Sequence, residues 1–494
     1  MNGSSVRQAS HVNVGTGIPS DLLKPGPVRG PVFRHRKLHT ELESSNSTEL
    51  GGLALAARLI AAIKAPREID DAVSVLRSHR PFFESDHVLT HVYNLFTGGT
   101  AIEDITSLQQ SEPVGRILGA NRIPDPTTAG DFLRRFDERQ IRALDHAIDR
   151  LHERVWKKWK GRKRSKLGVV DLDSHVHHVY GHQKEGADFT YKGGFGYHPL
   201  VISLAETQEC LRLVNRSGNV ASAQDAAKHL VDLAPLLKSR FRGILVRGDS
   251  AFSSQEIFDA CEDHGFHFAM VSAQQRNFEA LADEIPERRW RQFRAAKQDP
   301  NRSKKRRRRK NLRRKQAQKR QKRDLKLKAQ WIAEIPYQPA RSPKSYRLIV
   351  RRQKIEERNQ GELFETWRYR FVLTNLPRSV STEKAVRQTY QRCDQEKVIE
   401  QLQNGVAAMK MPTGTLLANH AYLVCARLAH NLKSWLAMLA LPEETMRWEW
   451  KRFRRSFVYF AARIVTRGRR WIFRVADSHR FANTIVRGLT QLQT

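Results

Sequence analysis

Apolar residues recur at helical spacing from about residue 47 and give way to short apolar runs near residue 167. This pattern predicts a helical region followed by an α/β core. Leu53, Ala57, Ile60 and Ala61 fall on one helical face, with Lys64 ending the run. Val88 to Phe96 predicts a second helix, stopped by Gly98-Gly99. Pro124-Asp125-Pro126 reads as a break, after which Thr128 opens a further helix with Asp131 in the position of a capping-box acid. Leu167-Gly-Val-Val-Asp-Leu-Asp173 predicts a strand, followed by strands at Val176–Tyr180, Tyr197–Leu204 and Cys210–Val214. Next come a helix over 222–240, the buried-type strand Ile244-Leu-Val, a helix from Ser254 to His264 stopped by Gly265, and a strand at Phe266–Val271. The order is three or more strands, helix, strand, helix, strand. Residues 275–377 interrupt it with a charged half and then strand-like runs at Tyr346–Val350 and Leu363–Thr374. Helical spacing returns from about 382 to 403 and from 415 to 440, before a Trp-, Phe- and Arg-rich end.

These shifts predict six segments. They are an arm at 1–46, a helical region at 47–160, a core at 161–274, an insertion at 275–377, a second core part at 378–440, and a basic C-terminal region at 441–494. The arm is rich in Ser, Gly, Pro and charge. A chain of 494 residues accommodates several such units.

Charge narrows the function classes. The formal net charge is +36, and residues 301–330 contribute +16 of it, so +20 remains elsewhere. The whole chain is basic, which favours a polyanionic partner, nucleic acid first. The run Lys304, Lys305, Arg306, Arg307, Arg308, Arg309 is a candidate phosphate clamp, although a solvated charged loop would have the same composition. Short helices ahead of a basic core suit a DNA-end-binding domain, and periodicity alone fits a plain bundle equally well. Cys210, Cys261, Cys393 and Cys425 are scattered, without a CxxC pair, which fits a reducing compartment. No signal-peptide core or membrane span is expected, since Leu53–Ile63 is short and broken by Arg58.

The candidate chemistry lies in carboxylates. Asp171 and Asp173 lie two apart on one strand and so share a face. Asp249 follows the strand Ile244-Leu-Val, in Arg247-Gly-Asp-Ser-Ala-Phe252, and strand carboxyl ends are where ligand sites gather in α/β sheets. Glu396 lies on the helix around residue 390. Hard oxygen ligands suit Mg2+, with Mn2+ as a substitute, and a pair of such ions about 4 Å apart is the apparatus of phosphodiester chemistry. A single Asp after a strand is more often a turn cap, and spacing alone does not separate Asp171 from Asp173 or Glu396 from Glu400. His175, His177 and His178 lack a matching Cys or His set for zinc. Trp331 and Trp367 fit a packed β-domain better than a base-stacking role, and Asn419 and Asn431 suit helix capping or bridging.

The chain resembles the DDE-type insertion-sequence transposases, and within them the insertion sequence 1380 family. The resemblance runs through Gly51-Gly-Leu53, Gly98 to Leu108 and Ile123 to Phe136. It is strongest at Asp171-Leu-Asp-Ser, Val179-Tyr-Gly-His-Gln183 and Gly196-Tyr-His-Pro-Leu200. Arg216-Ser-Gly-Asn219, Arg247-Gly-Asp-Ser-Ala-Phe252, Tyr390-Gln-Arg-Cys-Asp-Gln-Glu396, the helix with Asn419 and Asn431, and the tail from Arg452 to Leu492 extend it. It implies an RNase H-like core interrupted by a β-rich insertion. The implied first catalytic Asp is the one directly before Ser, Asp173, with Asp171 as the alternate. Asp249 is the second, and Glu396 the third acid, with Glu400 as its alternate. Tyr390 and Arg392 are implied to contact DNA. Related proteins carry a Lys one to two turns after the Glu, and this chain has Gln403, which puts that phosphate contact in doubt. The resemblance further implies cut-and-paste transposition of double-stranded DNA at terminal inverted repeats, a homodimer in the synaptic complex, and a place in the bacterial cytoplasm at the nucleoid. An inactive DNA-binding descendant and a nuclease without strand transfer are the competing readings.

Overall fold

The computed structural model describes residues 46–159, 165–181, 183–293, 324–340, 342–359, 362–468 and 470–493. The segment 1–45, most of the arm read from composition, lies outside the described residues.

The core is a nine-stranded mixed sheet. Its strands in chain order are β1 (Ser165–Ser174), β2 (Leu200–Leu204), β3 (Cys210–Val214), β4 (Phe241–Gly248) and β5 (His267–Ser272). They continue as β6 (Arg291–Gln292), β7 (Asp324–Tyr337), β8 (Tyr346–Asn359) and β9 (Glu362–Thr374). The spatial order is β6-β7-β8-β9-β5-β4-β1-β2-β3. β1, β4 and β5 run parallel, and β2 and β3 are antiparallel to their neighbours. The part β3-β2-β1-β4-β5 is the RNase H-like mixed-sheet core expected from the sequence. Parallel neighbours need long crossovers. Helices Ala226–Arg240 and Gln255–Asp263 supply them, joining β3 to β4 and β4 to β5. Central strands are covered on both faces and therefore read as near-continuous apolar runs. Val170, Leu172, Leu245 and Val246 are fully buried.

The insertion extends this sheet. β9 pairs with β5, Phe371 opposite Ser272, and β8 and β7 follow as long antiparallel neighbours. β7 starts at Asp324, inside the stretch whose Lys and Arg density masked any strand period in the sequence.

The helical region packs around one long helix, Leu416–Leu439, buried along most of its length against Glu84–Thr97, Glu138–Lys158 and β3. Gly98, at φ +106°, closes Glu84–Thr97 in the left-handed conformation that glycine adopts without a steric penalty. The break read at Pro124–Pro126 is instead a helix start. Asp125 caps the helix Pro126–Leu133 through the N–H of Thr128, and Pro126 takes the first turn, where no amide donor is needed. Thr128 is therefore inside the helix.

Polar groups join the long helix to the sheet. Asn431 exchanges two hydrogen bonds with the backbone of Cys210, at 2.8 and 2.9 Å, and so covers part of the β3 edge. Asn419 accepts from the N–H of Thr413 at 3.0 Å. Asn431 thus bridges as expected, whereas Asn419 ties the first turns of its own helix to the loop before it. Glu209 is fully buried and accepts from His152 (3.0 Å), Trp435 (2.7 Å), Thr207 (2.6 Å) and Trp156 (3.1 Å), so its carboxylate is well satisfied.

Lys433 is also buried, with Nζ donating to the Trp448 carbonyl at 2.8 Å. Burial pushes its ammonium down to about 7, against a smaller opposing pull from Glu449. A cation that is harder to hold in the folded state than in the unfolded chain gives stability present above its ordinary pKa of 10.5. That stability is lost as pH falls toward 7. Denaturant melts are expected to show stability falling from pH 10 to pH 7, and Lys433→Met is expected to flatten that slope. An unchanged slope in the variant would contradict this account of Lys433.

Candidate active site

The site forms where β1 and β4 end side by side. Their parallel register sets Asp171 opposite Arg247. Two residues further on, Asp173 and Asp249 emerge at the adjoining strand ends, because side chains two apart share a face. The sequence carries this as two matched units, Asp171-x-Asp173 and Arg247-x-Asp249.

The inner pair is a closed ion pair. Asp171 is fully buried and takes both Nε and Nη2 of Arg247 at 2.7 Å, while Arg247 Nη1 donates to the Gln388 carbonyl at 2.6 Å. The outer pair is open. Asp173 is partly exposed and accepts from the N–H of Ser174 at 2.8 Å. Asp249 Oδ1 accepts from the N–H of Ala251 at 2.9 Å, capping the short 3-10 turn Ser250–Phe252. The turn-cap role and a place at the strand end therefore coexist in one residue. Burial pushes the Asp173 carboxyl up to about 6; Arg392 and the Ser174 amide oppose this, while Asp249 and Asp171 add to it.

The helix expected over 382–403 is two helices, Thr382–Tyr390 and Cys393–Asn404, and Arg392 stands at the break. Its Nη2 donates to the Leu172 carbonyl at 2.8 Å and lies 3.7 Å from Asp173 Oδ2. The break lets a side chain four residues before Glu396 reach the end of β1. Gln395 anchors the second helix on β2. It accepts from the Ser203 hydroxyl, and its Nε2 donates to the Val201 carbonyl at 3.3 Å.

Asp173 thus faces Arg392, with Asp249 near enough to add to the rise of its carboxyl. Glu396 is exposed one helical turn after Arg392, and Glu400 and Gln403 are exposed further along. The ligand atoms of Asp173, Asp249 and Glu396 do not all come within 4.8 Å of one another. Among the described residues the one such set is His146, Asp149 and Asp232. There, Arg212 already contacts Asp149 at 2.7 and 2.6 Å and Asp232 at 2.7 Å, supplying the positive charge those carboxylates require. Among the described residues Asp173 and Asp249 have no such bidentate cation, and two neighbouring hard carboxylates suit a divalent ion.

Tyr390 is half-buried, with the Arg351 guanidinium 5.2 Å from its ring centre. Lys304, Lys305, Arg306, Arg307, Arg308 and Arg309 lie outside the described residues. His178 is exposed and His177 half-buried. Trp367 is exposed and Trp331 half-buried, with Arg352 between them at 4.5 and 5.5 Å from the ring centres. Sequence reasoning missed Gln395 and His198; His198 is buried with Nε2 2.8 Å from Ser174 Oγ. Neither carries a sequence signal beyond its neighbourhood to an acid. The Asp171–Arg247 pair was not read from the sequence either; it emerges from the register of the two strands.

The raised Asp173 carboxyl makes a prediction without metal. A folded-state pKa above the unfolded value contributes stability that is present below about 4 and lost as pH rises through about 6. With a chelator present, Asp173→Asn is expected to melt higher than the parent at pH 8, and the gap should close toward pH 4. A variant that melts lower at pH 8 would contradict the burial of that charge.

The fold and the strand-end carboxylates define a class, and comparison with known proteins gives the family. The chain belongs to the transposase DDE domain group 1 family, whose model matches residues 31–494. No curated protein matches it. Among solved structures it is similar to one described as the piggyBac transposase synaptic complex with hairpin DNA. That similarity is at 10% identity over 82% of each chain, with a TM-score of 0.28. Among the described residues no helix is long and apolar enough to cross a membrane.

Proposed function

We propose that this DDE transposase moves an insertion sequence by cut-and-paste transposition, with Asp173, Asp249 and Glu396 as its catalytic and metal-holding carboxylates. The observation that supports this most is the pairing of Asp173 and Asp249 at adjoining ends of parallel strands, beside a fully neutralised Asp171–Arg247 pair. Asp171 has its charge partner within the sheet, so Asp173 is the better choice of the two. Glu396 completes the set from the helix that Gln395 seats on β2, its exposed side chain turning inward when ions and DNA arrive.

Bound Mg2+, or Mn2+ in its place, would supply nucleophile activation and leaving-group stabilisation at the phosphodiester. The chain's own residues do the rest. Asp173 and Asp249 present acceptor oxygens from rigid strand ends, which keeps their geometry fixed. Arg392 holds the Asp173 carboxylate against the end of β1. The capping bond to Ala251 fixes one oxygen of Asp249 and turns the other outward. The reaction is hydrolysis at the element ends, followed by in-line attack of the freed 3′-hydroxyl on target DNA. Two ends must be held together, so a homodimer forms in the synaptic complex. We further assign the chain to the insertion sequence 1380 family, on the ordered motifs from Gly51 to Leu492, and place it at the bacterial nucleoid. The helical region 47–160 binds the element ends, with Tyr390, Arg392 and the run Lys304–Arg309 on phosphates.

The test is to find inverted repeats flanking the gene and to incubate a duplex carrying them with the purified protein and Mg2+. Cleavage at the repeat ends and joining to a target plasmid are expected. Cleavage without joining would leave a nuclease, and end binding without cleavage would leave an inactive descendant.

A further inference from the structure

The C-terminal region contains a two-stranded antiparallel ribbon, Ala462–Arg467 and Arg470–Val475. Its register sets Arg463 opposite Arg474, Val465 opposite Ile472, and Arg467 opposite Arg470. Residues directly opposite share a face, and so do residues two apart along a strand. All four arginines therefore project from one face of the ribbon, and all four are exposed. The other face carries Ala462 and Ile464, both buried, with Phe473 and Val475 half-buried. It rests on the body, so the arginine face points to solvent. At the tip, Thr466 and Trp471 are exposed even on the body side, so the tip stands clear of the core.

Like charges placed directly opposite each other destabilise a sheet. Here this happens twice, and among the described residues none of the four arginines has a carboxylate partner. A protective role for edge charges accounts for part of this, since edge strands are often blunted with cations. It does not account for Arg463, which is flanked by Ser47 on one side and Arg474 on the other. Four outward, unneutralised guanidinium groups need a polyanion to repay that repulsion. The spacing fits one. The two arginine rows are four residues apart, roughly 13 Å along the strand. The major groove of B-DNA is about 12 Å wide and admits a two-stranded ribbon, with phosphates on both rims.

We propose that this ribbon is a duplex-DNA contact surface, separate from the carboxylate site, in which Arg463, Arg467, Arg470 and Arg474 neutralise phosphates across a groove. It adds a named surface to the DNA-handling reading above and depends on that reading only for which DNA is bound. The contact is electrostatic and independent of sequence.

The test is a salt titration of the full chain on a random-sequence duplex, followed by fluorescence anisotropy. Each lost phosphate contact lowers the slope of log affinity against log salt by about 0.9. Replacing all four arginines with glutamine is expected to reduce the slope by about three to four, and replacing all four with lysine to preserve most of it. The pairs R463Q/R474Q and R467Q/R470Q, each expected to remove about half, keep the test decisive should the fourfold variant not fold. A slope unchanged in glutamine variants that melt normally would overturn the proposal. An unchanged slope together with an altered sedimentation mass would overturn it in favour of an interface between copies of the chain. Excision by the carboxylate site is read in a separate assay, so failure of the ribbon and failure of the transposase reading are distinguishable.

Discussion

Replacing Asp249 with alanine is expected to reduce excision of a repeat-flanked segment by about 10³-fold or more while leaving binding to the element ends intact. In its proposed role Asp249 is a ligand whose ion would stabilise transition-state charge by several kcal/mol, about 4 kcal/mol being 10³ in rate. The structure gives Asp249 a second role, the cap on Ser250–Phe252 through the Ala251 amide. Loss of a cap costs about 1 kcal/mol, so alanine is also expected to lower stability slightly. Asparagine separates the two roles. Asp249→Asn keeps an oxygen for the Ala251 N–H and loses the charge. It should melt like the parent and excise as poorly as the alanine variant. Near-parental excision by Asp249→Asn would reduce Asp249 to a turn residue.

Breaking the Asp171–Arg247 pair is expected to destabilise the fold by about 3–5 kcal/mol, the usual cost of leaving one buried charge without its partner. Asp171 is fully buried, and both bonds to Arg247 are 2.7 Å. Arg247→Met would strand the Asp171 carboxylate next to Asp173 and free the Gln388 carbonyl. Asp171→Leu would strand the guanidinium instead. The double variant removes both charges, and buried ion pairs exchanged for apolar groups are often neutral in stability. Urea unfolding should therefore show two damaged single variants and a largely restored double variant. Additive losses in the double would contradict a closed pair. The same experiment separates the two strand acids, since Asp171→Leu should lower stability and Asp173→Asn should not.

The core was legible in the sequence because its signals are short-range. Buried parallel strands are largely apolar, and Leu167–Val170 and Ile244–Val246 are. Glycine marks where helices end, as at Gly98 and Gly265. The missing parts depend on contacts that no local period encodes. β7 carries alternating lysines at its start, which resemble the basic run before it. The helix break at Gln391–Arg392 lacks a Gly or Pro; it exists where Arg392 reaches the Leu172 carbonyl across 220 positions of sequence. At Pro124–Pro126 the error was one of rank, since a proline inside the first turn starts a helix as readily as it ends one. In the site, the sequence put Asp171 and Asp173 on one strand and Asp249 just past another, while the register that sets the two strand ends side by side was not legible. The choice of Asp173 over Asp171 required either the family motif or the Arg247 bond.

The most direct measurement of the central claim is anomalous diffraction from crystals of the protein bound to an end duplex in Mn2+. The account predicts manganese between the carboxylates of Asp173 and Asp249, with Glu396 drawn in as a further ligand. Manganese at His146, Asp149 and Asp232, with none between Asp173 and Asp249, would contradict it.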